Sequence, residues 1–151
     1  MKQKYYFAYG SNMDQKQMKE RCPDAELLGT ASLRNYKLVF TIFSETRNCG
    51  CADIVPDYFS AVYGLFYRMT DPDFELLDEF EGVSKKAYRR ISVTIEDGNG
   101  KLIEAETYEV VSKESEHQTP SEHYLSQILG PAQEFRFPLD YIKYLESFDP
   151  V

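Results

Sequence analysis

Two short stretches hold the residues whose types and spacing could do chemistry. The first is YYFAYGSNM, Tyr5–Met13, in which an apolar aromatic run breaks into Gly10-Ser11-Asn12. Glycine admits positive φ and lets another group approach the backbone closely. Ser11 or Asn12 can cap a helix beginning near Met13. A strand ending in such a loop at a helix N-terminus offers unpaired N–H groups, a seat for a carboxylate or a developing oxyanion. On spacing alone an ordinary capped strand-to-helix turn is the simpler reading. The second stretch is LLDEFEGV, Leu76–Val83, where Asp78, Glu79 and Glu81 crowd a helix end just before Gly82. Negative charge there opposes the macrodipole. A carboxyl kept among like charges and partly out of water has a raised pKa and suits proton transfer. For Asp78 and Glu79 a solvated acidic face accounts for the pattern; for Glu81 charge crowding leaves the choice open.

Other chemistries find little support. A covalent role for Ser11 lacks a G-x-S-x-G elbow, and neither His117 nor His123 carries a triad signature. The two histidines are also six apart, off the i, i+4 spacing that puts two imidazoles on one helix face. Cys49-Gly50-Cys51 lacks neighbouring ligands and reads as small residues on a strand rather than a metal or redox pair. No metal and no cofactor are therefore predicted. Three cysteines, without a signal-like N-terminus, indicate a reducing, cytoplasmic setting. No apolar run approaches the roughly 20 residues of a membrane span. A net charge of −8 without a Lys/Arg block argues against a nucleic-acid partner.

The elements that must position these residues follow from pattern. At 151 residues the chain is expected to form one domain with its own core. Tyr5–Tyr9 reads as a first strand, Met13–Arg21 as a helix stopped by Pro23, and Ala25–Phe43 as extended structure interrupted at Arg34-Asn35. SETRNCG reads as a loop. Ala52–Val55 and Ala61–Met69 read as two strands joined through Pro56-Asp57. Thr70 offers an N-cap and Pro72 a first turn for a helix that Gly82 ends. Tyr88–Glu96 alternates, DGNG at Asp97–Gly100 is a hairpin turn, and Leu102–Val111 returns. Thr119-Pro120-Ser121 opens a helix to about Phe135, with Gly130-Pro131 a point of kinking or interruption. Pro138 opens a last amphipathic segment with Leu139, Ile142 and Leu145 on one face. Five to seven strands without regular strand-helix alternation predict an α+β fold, a mostly antiparallel sheet curling into a barrel. Twelve tyrosines and ten phenylalanines would suit a cavity wall or a homodimer interface.

Taken in order, YFAYGSN (Tyr6–Asn12), LDEFEGV about seventy residues on, and AYRR closely resemble the gamma-glutamylcyclotransferases. GCADIVP, VYGLFYRM, TPSEHY and FPLDY extend the resemblance over nearly the whole chain. It implies a small mixed β-barrel with flanking helices, and a reaction that turns a γ-glutamyl amide into 5-oxoproline with release of an amine. By position, Glu81 matches the catalytic glutamate. Tyr6, Phe7, Ala8, Tyr9, Gly10 and Ser11 match the substrate-holding loop, and Tyr124 and Tyr88 match tyrosines of the substrate site. The α-amine of a γ-glutamyl group is its own nucleophile, so the chemistry asks for a base but for no serine, cysteine or metal. The leaving amine is undetermined; Ser44–Gly50 and Val111–Pro120 are the loops expected to choose it. The competing reading is a non-catalytic barrel that binds a metabolite or a protein.

Overall fold

The computed structural model describes residues 3–150. Aromatic and β-branched runs form β1 (Lys4–Ala8), β2 (Glu26–Ser44), β3 (Cys49–Met69), β4 (Tyr88–Asp97) and β5 (Leu102–Val110). They close a barrel in the order β1-β3-β2-β4-β5. Its pairings are antiparallel except for β1 with β5, which meet in parallel at Tyr6 and Glu106. Helices α1 (Gln15–Arg21), α2 (Asp71–Phe80), α3 (Glu122–Glu134) and α4 (Leu139–Glu146) flank it. The architecture is therefore the mixed, mostly antiparallel α+β barrel that the sequence predicts.

Several elements differ in extent. The strand pieces on either side of Pro56 belong to one strand of 21 residues, paired with a β2 of 19. Pairing passes from Arg34–Ala61 to Tyr36–Pro56, so Asp57–Ser60 bulge out opposite Asn35. Asn35 and Phe59 take left-handed φ values of 67° and 73° there. A proline is tolerated at such an irregularity because the ladder has already lapsed. The expected loop SETRNCG contracts to the turn 45–48. At the N-terminal end, Ser11–Met13 make a single 3-10 turn and α1 begins only at Gln15. Neither Ser11 nor Asn12 caps it, because both side chains are engaged elsewhere. In α4 the buried residues are Tyr141 and Leu145, whereas Leu139 is 75% exposed. It lies about a third of a turn off the stripe that Leu145 marks.

Other local signals act as expected. Asp97 accepts hydrogen bonds from the amides of Asn99 and Lys101, both at 2.9 Å, and Gly100 supplies a φ of +81°. Asp73 accepts from the amide and hydroxyl of Thr70, closing the start of α2. Ser121 Oγ accepts from Tyr124 N at 3.1 Å, fixing the start of α3. Pro131 lies inside α3, which runs on to Glu134. A continuous core joins Phe7, Leu38, Ile54 and Ile95 of the barrel to Leu77, Ile128 and Leu145 of α2, α3 and α4.

Val111–Pro120, expected as a specificity loop, is instead strapped along the barrel. Glu114 N donates to Thr41 O, Gln118 N to Phe40 O, and Gly50 N to Thr119 O, all within 2.9 Å. The fully buried Asp53 takes Lys113 Nζ (2.8 Å), Thr41 Oγ1 (2.7 Å) and Val110 N (2.9 Å). Three donors on one carboxylate offset the cost of burying it. The strap delivers α3, and with it Tyr124, to the barrel mouth.

Gly64 of β3 sits where β1 crosses closest: a Cβ added there would lie 2.3 Å from Ala8 O and 2.8 Å from the Phe7 ring. Backbone cannot yield as a side-chain tip can. Gly64→Ala should cost about 1–3 kcal/mol, by overpacking. The measurement is the denaturant midpoint at constant slope; an unchanged midpoint would contradict the close approach.

Candidate active site

The end of α2 is placed by Asp78. Its carboxylate accepts from Tyr108 Oη of β5 at 2.6 Å and meets Arg90 Nη2 of β4 at 3.7 Å. The Arg90 guanidinium in turn lies 4.8 Å over the Phe74 ring. Asp78 is thus no member of a solvated acidic face, as the sequence reading had it; Glu79 is exposed as expected. One residue past the helix, Glu81 N still donates to Leu77 O at 2.9 Å, and Gly82 reverses the chain with a φ of +66°. The Glu81 side chain is thereby directed toward the first turn of the chain.

It meets Asn12. Asn12 Nδ2 donates to Glu81 Oε1 at 3.1 Å and to Tyr6 Oη at 2.9 Å. The orientation of this amide is fixed from behind: Asn12 Oδ1 accepts from Arg21 Nη1 at 3.1 Å and Gln17 Nε2 at 3.0 Å. A guanidinium has only donors, so the oxygen must face Arg21 and the NH2 must face Glu81. Ser11 Oγ is equally occupied, accepting from Gln17 Nε2 (2.9 Å) and Arg47 Nη2 (3.2 Å). That disposes it to hold the loop rather than to attack a substrate.

Around this junction a small pocket gathers Tyr6, Tyr9, Gly10, Ser11, Glu81, Tyr88 and Tyr124 from the predicted set, together with Asn12, Ala52 and Tyr108. Phe7 and Ala8, implied as part of the substrate loop, do not reach it. Both are fully buried in the barrel wall, and Phe7 O accepts from Thr107 Oγ1 at 2.7 Å. A strand shows only alternate side chains to one face, so a continuous six-residue lining was not attainable. The pocket opens into a cleft of about 590 Å³, lined by Arg21, Phe43, Arg47, Phe80 and Lys85 among others. Of the two expected specificity loops, only Ser44–Arg47 contributes to it; the strap of Val111–Pro120 does not.

Burial pushes the Glu81 pKa above its ordinary 4.5; Arg21, Arg47 and the Asn12 hydrogen bond oppose the rise, and Asp78 adds to it. Desolvation thus outweighs the charge crowding that the sequence suggested. Burial likewise raises the pKa values of Tyr6, Tyr9, Tyr88, Tyr108 and Tyr124, which remain neutral phenols at ordinary pH. Sequence reasoning missed Asn12, Arg21, Arg47, Ala52 and Tyr108. Asn12 closes the YFAYGSN motif and was open to notice there. Arg47 in a turn and Tyr108 in an alternating strand gave no local signal. Cys49 and Cys51 are buried and unpaired, and Cys51 borders the cleft. Among the described residues no three His, Cys, Asp or Glu side chains come together as a metal cluster, and no helix is long and apolar enough to cross a membrane.

Residues 61–145, more than half of the chain, match the model of the AIG2-like family. Bovine gamma-glutamylcyclotransferase is 35% identical over 149 residues, spanning 96% of this chain and 78% of the relative. The human gamma-glutamylcyclotransferase is 33% identical over the same shares of both chains. A solved structure of a gamma-glutamyl cyclotransferase superposes with a TM-score of 0.92 at 30% identity, over 99% of this chain and 90% of that one. With this degree of likeness along nearly its full length, the chain belongs to the gamma-glutamylcyclotransferase family.

Proposed function

We propose that this chain cyclises a γ-glutamyl amide to 5-oxoproline, with Glu81 moving the protons. The observation that carries the reading is the 3.1 Å contact between Glu81 and Asn12, which brings a half-buried carboxyl of raised pKa to the Gly10-Ser11 turn across 69 residues of sequence. A general base needs hydrogen-bond reach to its proton and a pKa lifted toward the working pH. Glu81 lines the pocket and has a raised pKa, which supports catalysis over a purely binding barrel.

The substrate brings its own nucleophile. Held folded, it places the α-nitrogen against the γ-carbonyl carbon, and such preorganisation can supply up to about 7–11 kcal/mol. Glu81 takes a proton from the α-ammonium, the freed amine attacks, and the new C–N bond closes a five-membered ring. The carboxyl then returns its proton to the departing nitrogen as the old C–N bond breaks, and passes a second proton from the ring nitrogen to the freed amine. One of the three ammonium hydrogens stays on the lactam; two leave with the amine, which departs as an ammonium. Glu81 begins and ends as a carboxylate, and no cofactor takes part. Met13 N already donates to Gly10 O at 3.1 Å, so the amides of Ser11 and Asn12 are the ones that would serve the substrate's α-carboxylate or its oxyanion.

Glu81→Gln keeps the shape and removes the base. Release of 5-oxoproline from a γ-glutamyl amide should fall by roughly 10²–10⁴-fold with thermal unfolding little changed; full activity would refute the assignment. The pH profile offers a second check. A raised pKa means Glu81 becomes a carboxylate only above the ordinary range, so kcat/KM should climb with pH through a midpoint above 4.5. Arg21 stabilises the carboxylate through space and by orienting Asn12. Removing it in Arg21→Met disfavours the charged form by both routes and should move that midpoint to higher pH. A shift to lower pH would contradict the electrostatic account.

A further inference from the structure

The backbone of Ala52, at the pocket, is held by two tyrosines. Ala52 N donates to Tyr124 Oη at 3.0 Å, and Ala52 O accepts from Tyr88 Oη at 2.6 Å. A backbone amide can only donate and a backbone carbonyl can only accept, so the direction of each hydrogen bond is fixed. Tyr124 spends a lone pair on Ala52 and keeps its own proton to give. Tyr88 spends its proton and keeps lone pairs to receive. Tyr9 resembles Tyr88, since its hydroxyl donates to Tyr108 O at 2.6 Å.

The two kinds of hydroxyl share one pocket and differ in what they can give to it. A Cβ built on Gly10 would lie 3.6 Å from Tyr124 Oη, so the free phenol proton stands beside the turn whose amides are also donors. Tyr88 is within electrostatic reach of Tyr124, Tyr9 and Glu81, of which Tyr9 and Glu81, like Tyr88 itself, are acceptors toward the pocket. Tyr88 and Glu81 are neighbours of Tyr124 that the substrate amine would engage, and the further acceptor for the Tyr124 proton is the Cys51 thiol, whose pKa burial pushes up to about 12. A neutral thiol is a weak acceptor, readily outcompeted by a carbonyl oxygen.

We propose that these backbone hydrogen bonds give the tyrosines opposite tasks: Tyr124 donates its O–H to the γ-carbonyl oxygen as negative charge builds there, while Tyr88 and Tyr9 offer oxygens to the N–H groups of the α-amine. The assignment rests on the cyclotransferase reading above, and it makes Tyr124 a catalytic residue and Tyr88 a binding one. It also sets the orientation of the substrate, because a reversed γ-glutamyl group would meet donor with donor and acceptor with acceptor.

The test is steady-state kinetics of 5-oxoproline release from a γ-glutamyl amide by wild type, Tyr124→Phe and Tyr88→Phe. Loss of one oxyanion donor should lower kcat of Tyr124→Phe by roughly 10²–10³-fold with KM little altered. Tyr88→Phe should raise KM by about tenfold or more, yet leave unchanged the inhibition constant of glutaramate, which lacks the α-amine. Should Tyr124→Phe fail to fold, 3-fluorotyrosine at position 124 preserves the shape with a better donor and poorer acceptor. It should hold kcat at or above wild type. A wild-type protein that forms no 5-oxoproline overturns both this inference and the reading beneath it. A wild-type enzyme that is active, with Tyr124→Phe affecting only KM, with weaker glutaramate binding in Tyr88→Phe, or with kcat falling in the fluorinated protein, overturns this inference alone.

Discussion

A carboxyl drawn partly out of water must find partners, and in this chain the partner that matters is the side-chain amide of Asn12. Moving a carboxylate out of water is costly, and the cost appears as the raised pKa of Glu81. Unopposed, desolvation would raise that pKa further. The Asn12 N–H and the guanidiniums of Arg21 and Arg47 pull the other way. The opposition between burial and these donors leaves a carboxyl able to take up and give back a proton. Neither arginine forms an ion pair with Glu81 among the described residues, so the carboxyl stays free to meet a substrate.

Much of the scaffold serves to hold that contact. Asp78 ties the end of α2 to β4 and β5, one turn before Glu81. On the other side, β1 lies against Gly64 closely enough to exclude even a methyl group, which sets where the Tyr9–Asn12 turn emerges. Tyr67 Oη of β3 donates to Asn12 O at 2.9 Å and fastens the turn from below. The strap pinned by Asp53 and Lys113 brings α3 across the mouth, where Tyr124 reaches Ala52. Arg47 crosses from the β2–β3 turn to bind Ser11, Gln17 and Gln127, joining three elements through one side chain. The side chains of the inner pocket are held by these contacts; Glu45–Arg47 of the β2–β3 turn and the exposed Phe43 and Phe80 line the outer cleft instead.

What could be read in the sequence was whatever local chemistry determines. DGNG, the Thr70–Asp73 start of α2 and the Ser121 cap each carry their own signal within four residues. Glu81 became legible through a resemblance spread over two motifs, and its raised pKa through burial and crowding, though burial proved the larger cause. The length of β3 was not legible. Pro56 and Arg34-Asn35 signal interruption locally, whereas long-range pairing resumes beyond a four-residue bulge and keeps the strand whole. Arg47, Tyr108 and Ala52 were invisible for the same reason. Their roles exist only where the barrel folds a turn, a strand end and a peptide group onto one another. Leu139 looked buried from spacing to Ile142, but packing followed Tyr141 and Leu145.

The central claim is that the group titrating at the active site is Glu81 itself, held above the ordinary carboxylate range by its burial beside Asn12. It is tested most directly by a ¹³C NMR titration of glutamate-labelled protein, with the Glu81 carboxyl assigned by its loss in Glu81→Gln. The account predicts a midpoint above 4.5 that coincides with the rising limb of kcat/KM against pH. A Glu81 midpoint at or below 4.5, or a rate profile that ignores it, would contradict the account.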